Sequence, residues 1–316
     1  MKKVLGKQKN KIFILGAGAS VDYGLPTWNK LAGLISEYLS NQKDENYQYK
    51  KEILGWLDLI GEEKRYKTLD ECIYHQTSSN EYKEDGQDIE FEIFRILKEI
   101  FKHLYRKESS WIKNLNEKIR KKEGVDWNNL FFINYNYDSV LADNILDFSY
   151  LTKTERERIH RERIGELEHV KYATDYQKIQ CLYPHGLFDY SDRGFLNEES
   201  DTINSHNNSL LQSVSCYHSK KHEVLFTSDA QAIDLYILGL GGGLKINLDN
   251  IVFNDFGKIK NIHITLKKHS NISDLEYQKN KKKIMEFLTE KYGLLQENIF
   301  VYDNCVDLIE RCFSTF

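Results

Sequence analysis

Four short stretches of the chain carry residue types that could do chemistry, and each follows an apolar run that reads as a buried strand. The first is Gly16-Ala17-Gly18-Ala19-Ser20, after Ile12–Leu15. Gly16 lets the chain turn sharply out of the strand, and Gly18 leaves the backbone bare where a phosphate could approach. Backbone N–H groups at such a turn, together with the helix that Leu25-Pro26 opens, make an anion site without a cationic side chain. A dinucleotide pyrophosphate is commonly held in this way. The second stretch, Asn134-Tyr135-Asn136-Tyr137-Asp138, offers Asn136 and Asp138 either as ligand contacts or as caps of a helix starting at 139. The third is Pro184-His185-Gly186, whose imidazole titrates near neutral pH and could act as a general base. As one of ten histidines, His185 also admits a structural reading. The fourth is Gly239-Leu240-Gly241-Gly242-Gly243. Both prolines of the chain, Pro26 and Pro184, fall in these segments.

In an open parallel sheet, ligands bind beyond the C-terminal ends of the strands, so these four segments could line one crevice. The strands that must position them read as Ile12–Leu15, Leu130–Ile133, Ile179–Tyr183 and Ile233–Leu238, with Ile262–Leu266 and Ile299–Tyr302 completing the sheet. Helical periodicity follows the first strand at Leu31, Ile35 and Leu39, with the helix opening near Pro26. Ser273 and Glu276 are spaced as a capping box ahead of a late helix. Strands alternating with helices predict an α/β fold with a doubly wound parallel sheet. Between about residues 50 and 122 the pattern is helical throughout. The chain therefore divides into a nucleotide-binding domain, 1–45 and 125–316, and an α-helical insert, 46–124. Residues 153–170 read as a solvated charged helix, and 191–222 as a long polar loop.

A net charge of −4 and a pI near 6.2 argue against nucleic acid as the main ligand. No run of roughly 18 apolar residues exists to span a membrane, and the basic N-terminus lacks an apolar leader core, so a cytoplasmic protein is expected. Five scattered cysteines suit free thiols in a reducing compartment. His206, Cys216, His218 and His222 match no common zinc spacing, so no metal is expected.

Taken together, the motifs resemble one superfamily. GAGASVDYGLP resembles the sirtuin nucleotide-binding signature at Gly16, Ala17, Gly18, Ser20, Gly24, Leu25 and Pro26. Asn136 and Asp138 fall on the Asn and Asp of the sirtuin Thr-Gln-Asn-Ile-Asp segment, and His185-Gly186 is similar to the His-Gly that carries the catalytic base. The departures are equally specific. No C-x-x-C pair is present for the zinc ribbon of the deacylases. Thr27-Trp28-Asn29 replaces their Asp-Phe-Arg, and Gly239–Gly243 replaces their Gly-Thr-Ser. This combination is similar to the zinc-free, sirtuin-like NADase domains of prokaryotic antiphage systems, related to the abortive-infection H family.

That resemblance implies a Rossmann-like, sirtuin-like domain using NAD as substrate, without a metal. It would hydrolyse NAD+ to nicotinamide and ADP-ribose through an oxocarbenium-like state at the anomeric carbon. His185 would take a proton from a ribose hydroxyl or water. Asn136 would orient the water and ribose hydroxyls, and Asp138 would hold the loop or bond the nicotinamide side. The nucleotide would lie against Gly16, Ala17, Gly18, Ala19, Ser20, Pro26, Thr27 and Trp28, with Gly239 and Gly241 opposite. An off-state is expected, imposed by a homo-oligomer or by a separate partner protein such as an ATPase, with the helical insert and the 191–222 loop as the regulatory surfaces. Alternatives are a protein deacylase on the same scaffold and a non-catalytic sensor of NAD or ADP-ribose.

Overall fold

The computed structural model describes residues 2–5, 10–42, 49–61, 64–66, 69–78, 86–106, 111–120, 129–136, 138, 140–144, 170–171, 178–182, 222–226, 232–241, 244–268 and 272–313. Its strands are β1 (Lys2–Leu5), β2 (Lys11–Leu15), β3 (Leu130–Asn134), β4 (Val170–Lys171), β5 (Lys178–Leu182), β6 (His222–Phe226), β7 (Ile233–Leu238), β8 (Ile251–Phe253), β9 (Ile259–Thr265) and β10 (Ile299–Tyr302). The helices are α1 (Trp28–Asn41), α2 (Lys50–Leu57), α3 (Leu69–Ser78), α4 (Gly86–Leu104), α5 (Trp111–Arg120), α6 (Val140–Asn144), α7 (Leu244–Asp249), α8 (Asp274–Tyr292) and α9 (Cys305–Cys312).

The main sheet has the order β10-β9-β7-β2-β3-β5-β4. All its pairs are parallel except the short edge pair of β4 with β5. From β2 the chain steps outward to β3 and β5, then returns to the other side of β2 for β7, β9 and β10. Leaving out edge strand β4, the order is third-second-first-fourth-fifth-sixth, as in a Rossmann-like α/β fold. The direction of winding reverses between β2 and β7.

The central strands are continuous apolar runs because both sheet faces are covered. Side chains alternate across the sheet. Phe13, Leu15, Phe132 and Leu238 face one core, which they share with α1–α5 and α9. Ile12, Ile14, Ile133 and Ile237 face a second core with α7, α8 and a three-stranded parallel sheet, β1-β6-β8. The helices of the segment read as an insert, α2–α5, thus pack in the same core as one face of the sheet.

Several local expectations change. Helix α1 starts at Trp28, and a 3-10 segment, Ala17–Tyr23, precedes it. Gly24 closes that segment in the left-handed region at φ 82°, and Thr27 is the extended N-cap, so Pro26 stands outside the helix and not in its first turn. Val170, read as the end of a charged helix, belongs to edge strand β4, and His222, read as loop, begins β6. The small sheet escaped the sequence because β1 and β8 are only four and three residues long. Ser273 caps α8, its hydroxyl accepting from Glu276 N at 3.2 Å, which is the serine half of the expected capping box.

Candidate functional site

The site is built where the sheet reverses direction. Leu15 and Leu238 are register partners at the ends of β2 and β7, so both glycine segments leave the sheet side by side. Their backbones lock together: Gly16 N donates to Leu238 O at 2.8 Å and Gly18 N to Gly239 O at 2.9 Å. Ala19 N turns back to Gly16 O at 2.8 Å. A β-carbon on Gly18 would lie 2.8 Å from Gly239 Cα, and one on Gly16 2.7 Å from Leu240 Cδ2. The bare face of Gly18, expected to receive a phosphate, is therefore turned to Gly239. Its glycine requirement comes from contact between the two loops.

Asn136 ties β3 to the first loop. It is 3 % exposed, and its Nδ2 donates to Gly16 O and Ser20 Oγ, both at 3.0 Å. Because a carbonyl oxygen can only accept, Gly16 fixes the orientation of the carboxamide. Both N–H bonds are engaged, and Oδ1 is left buried with no hydrogen-bond partner among the described residues. Toward a ligand, Asn136 can thus only accept, from a hydroxyl, water or amide N–H. An anionic phosphate is excluded as its partner. Asn134 Oδ1 accepts from Asn136 N at 3.1 Å, and its buried Nδ2 likewise has no partner among the described residues. Buried polar atoms are seldom left unpaired, and these two lie at a strand end, where a polar ligand or water could meet them.

Asp138, 4 % exposed, accepts from Val140 N through Oδ1 at 3.1 Å at the start of α6. The capping geometry anticipated for it is present. Gly239 and Gly241 adopt left-handed φ values of 67° and 49°. Thr265, at the end of β9, was missed by the sequence reading: its Oγ1 accepts from Gly239 N at 2.9 Å and holds the loop that holds Gly18. A β-branched residue closing an apolar strand carries no signal of that role.

Ala17, Ala19 and Ser20 lie in the 3-10 segment beside Asn136, with Ala19 and Ser20 buried. Pro26 and Thr27 are half-buried on the approach to α1, and Trp28 supplies its first backbone unit. His185 lies outside the described residues, as do residues 153–169 and 191–221 with His206, Cys216 and His218. Strand β5 ends at Leu182, paired with Ile133 of β3, three residues before His185. Cys305, near Thr265, is no nucleophile at neutral pH: burial, reinforced by Asp22, pushes its thiol up to about 12 against a Thr265 hydrogen bond that lowers it. Among the described residues no group of three or more His, Cys, Asp or Glu could hold a metal ion. Nor is any described helix long and apolar enough to cross a membrane. An open depression of about 330 Å³ on α2 and α3, lined by Lys51, Glu52, Trp56 and Gln76, carries none of the residues of this site.

No protein-family model matches the chain, and it matches none of the curated proteins.

Proposed function

We propose that the chain is an NAD+ glycohydrolase that acts in the cytoplasm as an abortive-infection effector against phage. The observation that carries this reading is Asn136: a buried carboxamide, fixed by Gly16 and Ser20, with a lone acceptor left over at the strand ends. An acceptor of that kind suits ribose hydroxyls or an attacking water. Support also comes from the order of the motifs, GAGAS, NYNYD and PHG, and from the reversal point between β2 and β7, where dinucleotides bind in such sheets.

In the reaction, the bond between the anomeric carbon and the nicotinamide nitrogen breaks, and that nitrogen takes the bonding pair. Water adds to the anomeric carbon, giving nicotinamide, ADP-ribose and a proton. His185 is assigned the role of base receiving that proton. Asn136 holds the water or the ribose hydroxyls, and Asp138 fixes the segment behind it through α6. The amides of Gly16, Gly18 and Ala19 are bonded within the protein, so the pyrophosphate takes no hydrogen bond from those three groups. Activity would be gated by assembly with further copies of the chain.

Product analysis tests this reading. Purified protein incubated with NAD+ should release nicotinamide and ADP-ribose in equal amounts. Binding without turnover at every protein concentration would contradict it, as would transfer of an acyl group to ADP-ribose.

A further inference from the structure

A single corner of the helical region bonds both the glycine loop after β2 and the segment after β3, the two arms of the proposed site. On the glycine-loop arm, Trp111, 1 % exposed at the start of α5, donates its indole N–H to Ala19 O at 2.8 Å. Arg106 N, just beyond α4, donates to Tyr23 O at 2.8 Å, and the Tyr105 ring stacks on Tyr23 at 6.2 Å. On the Asn136–Asp138 arm, the same Tyr105 accepts from Asn144 Nδ2 at 2.9 Å through its hydroxyl, and Asn116 of α5 donates to Asn144 O at 2.8 Å. Asn144 ends α6, whose Val140 N–H bonds Asp138. The positions of Ala19 and of the segment bearing Asn136 are thus both referred to Tyr105, Arg106, Trp111 and Asn116.

We infer that Trp111 and Tyr105 are positioning residues through which the α4–α5 corner sets the two arms of the crevice, so that ligand occupancy and the packing of that corner are coupled. The coupling is reciprocal: a ligand ordering the arms steadies the corner, and a shift of the corner changes affinity. This rests on the proposed function only for the choice of ligand.

Amide hydrogen exchange on the full chain tests it, comparing wild type, Trp111→Phe, which keeps a ring but deletes the N–H, and Tyr105→Phe, which keeps the stack but deletes the hydroxyl. Trp111→Phe should raise exchange over 16–24 by about tenfold, the loss of one buried hydrogen bond, with 274–292 unchanged. Tyr105→Phe should do the same over 138–144. Added ADP-ribose should slow exchange at 104–106 and 111–116 in the wild type, and its Kd should rise about tenfold in Trp111→Phe. Unchanged exchange at 16–24, or an equal rise in 274–292, would overturn the inference. If Trp111→Phe does not fold, Tyr105→Phe decides alone: a rise confined to 138–144 supports the coupling and no rise overturns it. Failure of the wild type to bind ADP-ribose would count against the proposed ligand, while the exchange comparison between variants would still decide the coupling.

Discussion

Gly18 and Gly239 stand back to back, the amide of one bonded to the carbonyl of the other at 2.9 Å, so that the loops after β2 and β7 form one unit. A β-carbon on Gly239 would sit 2.1 Å from Ala19 N, on a backbone already at φ 67°. Gly241 has a similar φ of 49° but open space around its missing β-carbon. Gly241→Ala should therefore cost only the left-handed strain, about 1–2 kcal/mol. Gly239→Ala adds a backbone clash and should exceed about 3 kcal/mol. Urea unfolding of both variants checks the ordering, and equal losses would refute it.

Thr265 supports that unit from the far side. Thr265→Val removes the acceptor of Gly239 N at 2.9 Å while keeping the shape, leaving an amide without its partner. A loss of about 1–3 kcal/mol is expected, with Thr265→Ser restoring most of it. Thermal unfolding of the pair measures the difference.

Asp138 is separable into two roles. Asp138→Asn keeps an oxygen for Val140 N and should hold stability within about 0.5 kcal/mol, whereas Asp138→Ala should lose about 1 kcal/mol through the unmade cap. Should Asp138→Asn also lose nicotinamide release at unchanged stability, the charge of Asp138 acts on the substrate; full activity would confine it to the cap.

His263 gives the fold a pH dependence. Its ring is stacked between Tyr236 and Phe300, both at 4.9 Å, and its Nδ1 faces Tyr302 Oη at 3.0 Å and Cys312 Sγ at 3.3 Å. Burial lowers its pKa from 6.5 to about 4, with Asp234 opposing and Lys11 assisting. A depressed histidine pKa means that the unfolded chain binds the extra proton first. Stability is thus complete above pH 6.5 and falls as pH drops toward 4, where both states are protonated. The loss is on the order of 3 kcal/mol across that window. In His263→Phe, which keeps the stack, the fall in stability between pH 7 and 4.5 should be shallower, as read by urea midpoints at the two pH values.

Much of the architecture was legible because apolar runs such as Leu130–Ile133 and Ile233–Leu238 are buried on both faces and leave little else to be. The strand-end logic placed Gly16, Asn136 and Gly239 in one neighbourhood. What could not be read was what each group bonds to. Gly18 was assigned to a phosphate, yet its bare face meets Gly239, a partner 221 positions away in sequence. Trp111 read as core from its periodicity, and it is buried, but its N–H also reaches Ala19 across 92 positions. Helical spacing encodes which face is buried and says nothing of a polar atom carried on that face. The small sheet was missed for a related reason: β1, β6 and β8 are far apart in sequence, and the shorter two are below the length at which alternation is visible.

The most direct test of the central claim is nicotinamide release from NAD+ by wild type, Asn136→Ala and His185→Ala over a range of protein concentration, each first shown to be folded by circular dichroism. Turnover by the wild type is expected, steeper than linear in protein if assembly activates it, with at least about a hundredfold less from His185→Ala, as removal of a positioned acid–base group implies, and about as large a loss from Asn136→Ala, which removes the group that orients the water. Equal turnover by wild type and both folded variants would contradict it, because the reaction would then owe nothing to the carboxamide at Gly16 and Ser20 or to the imidazole at 185.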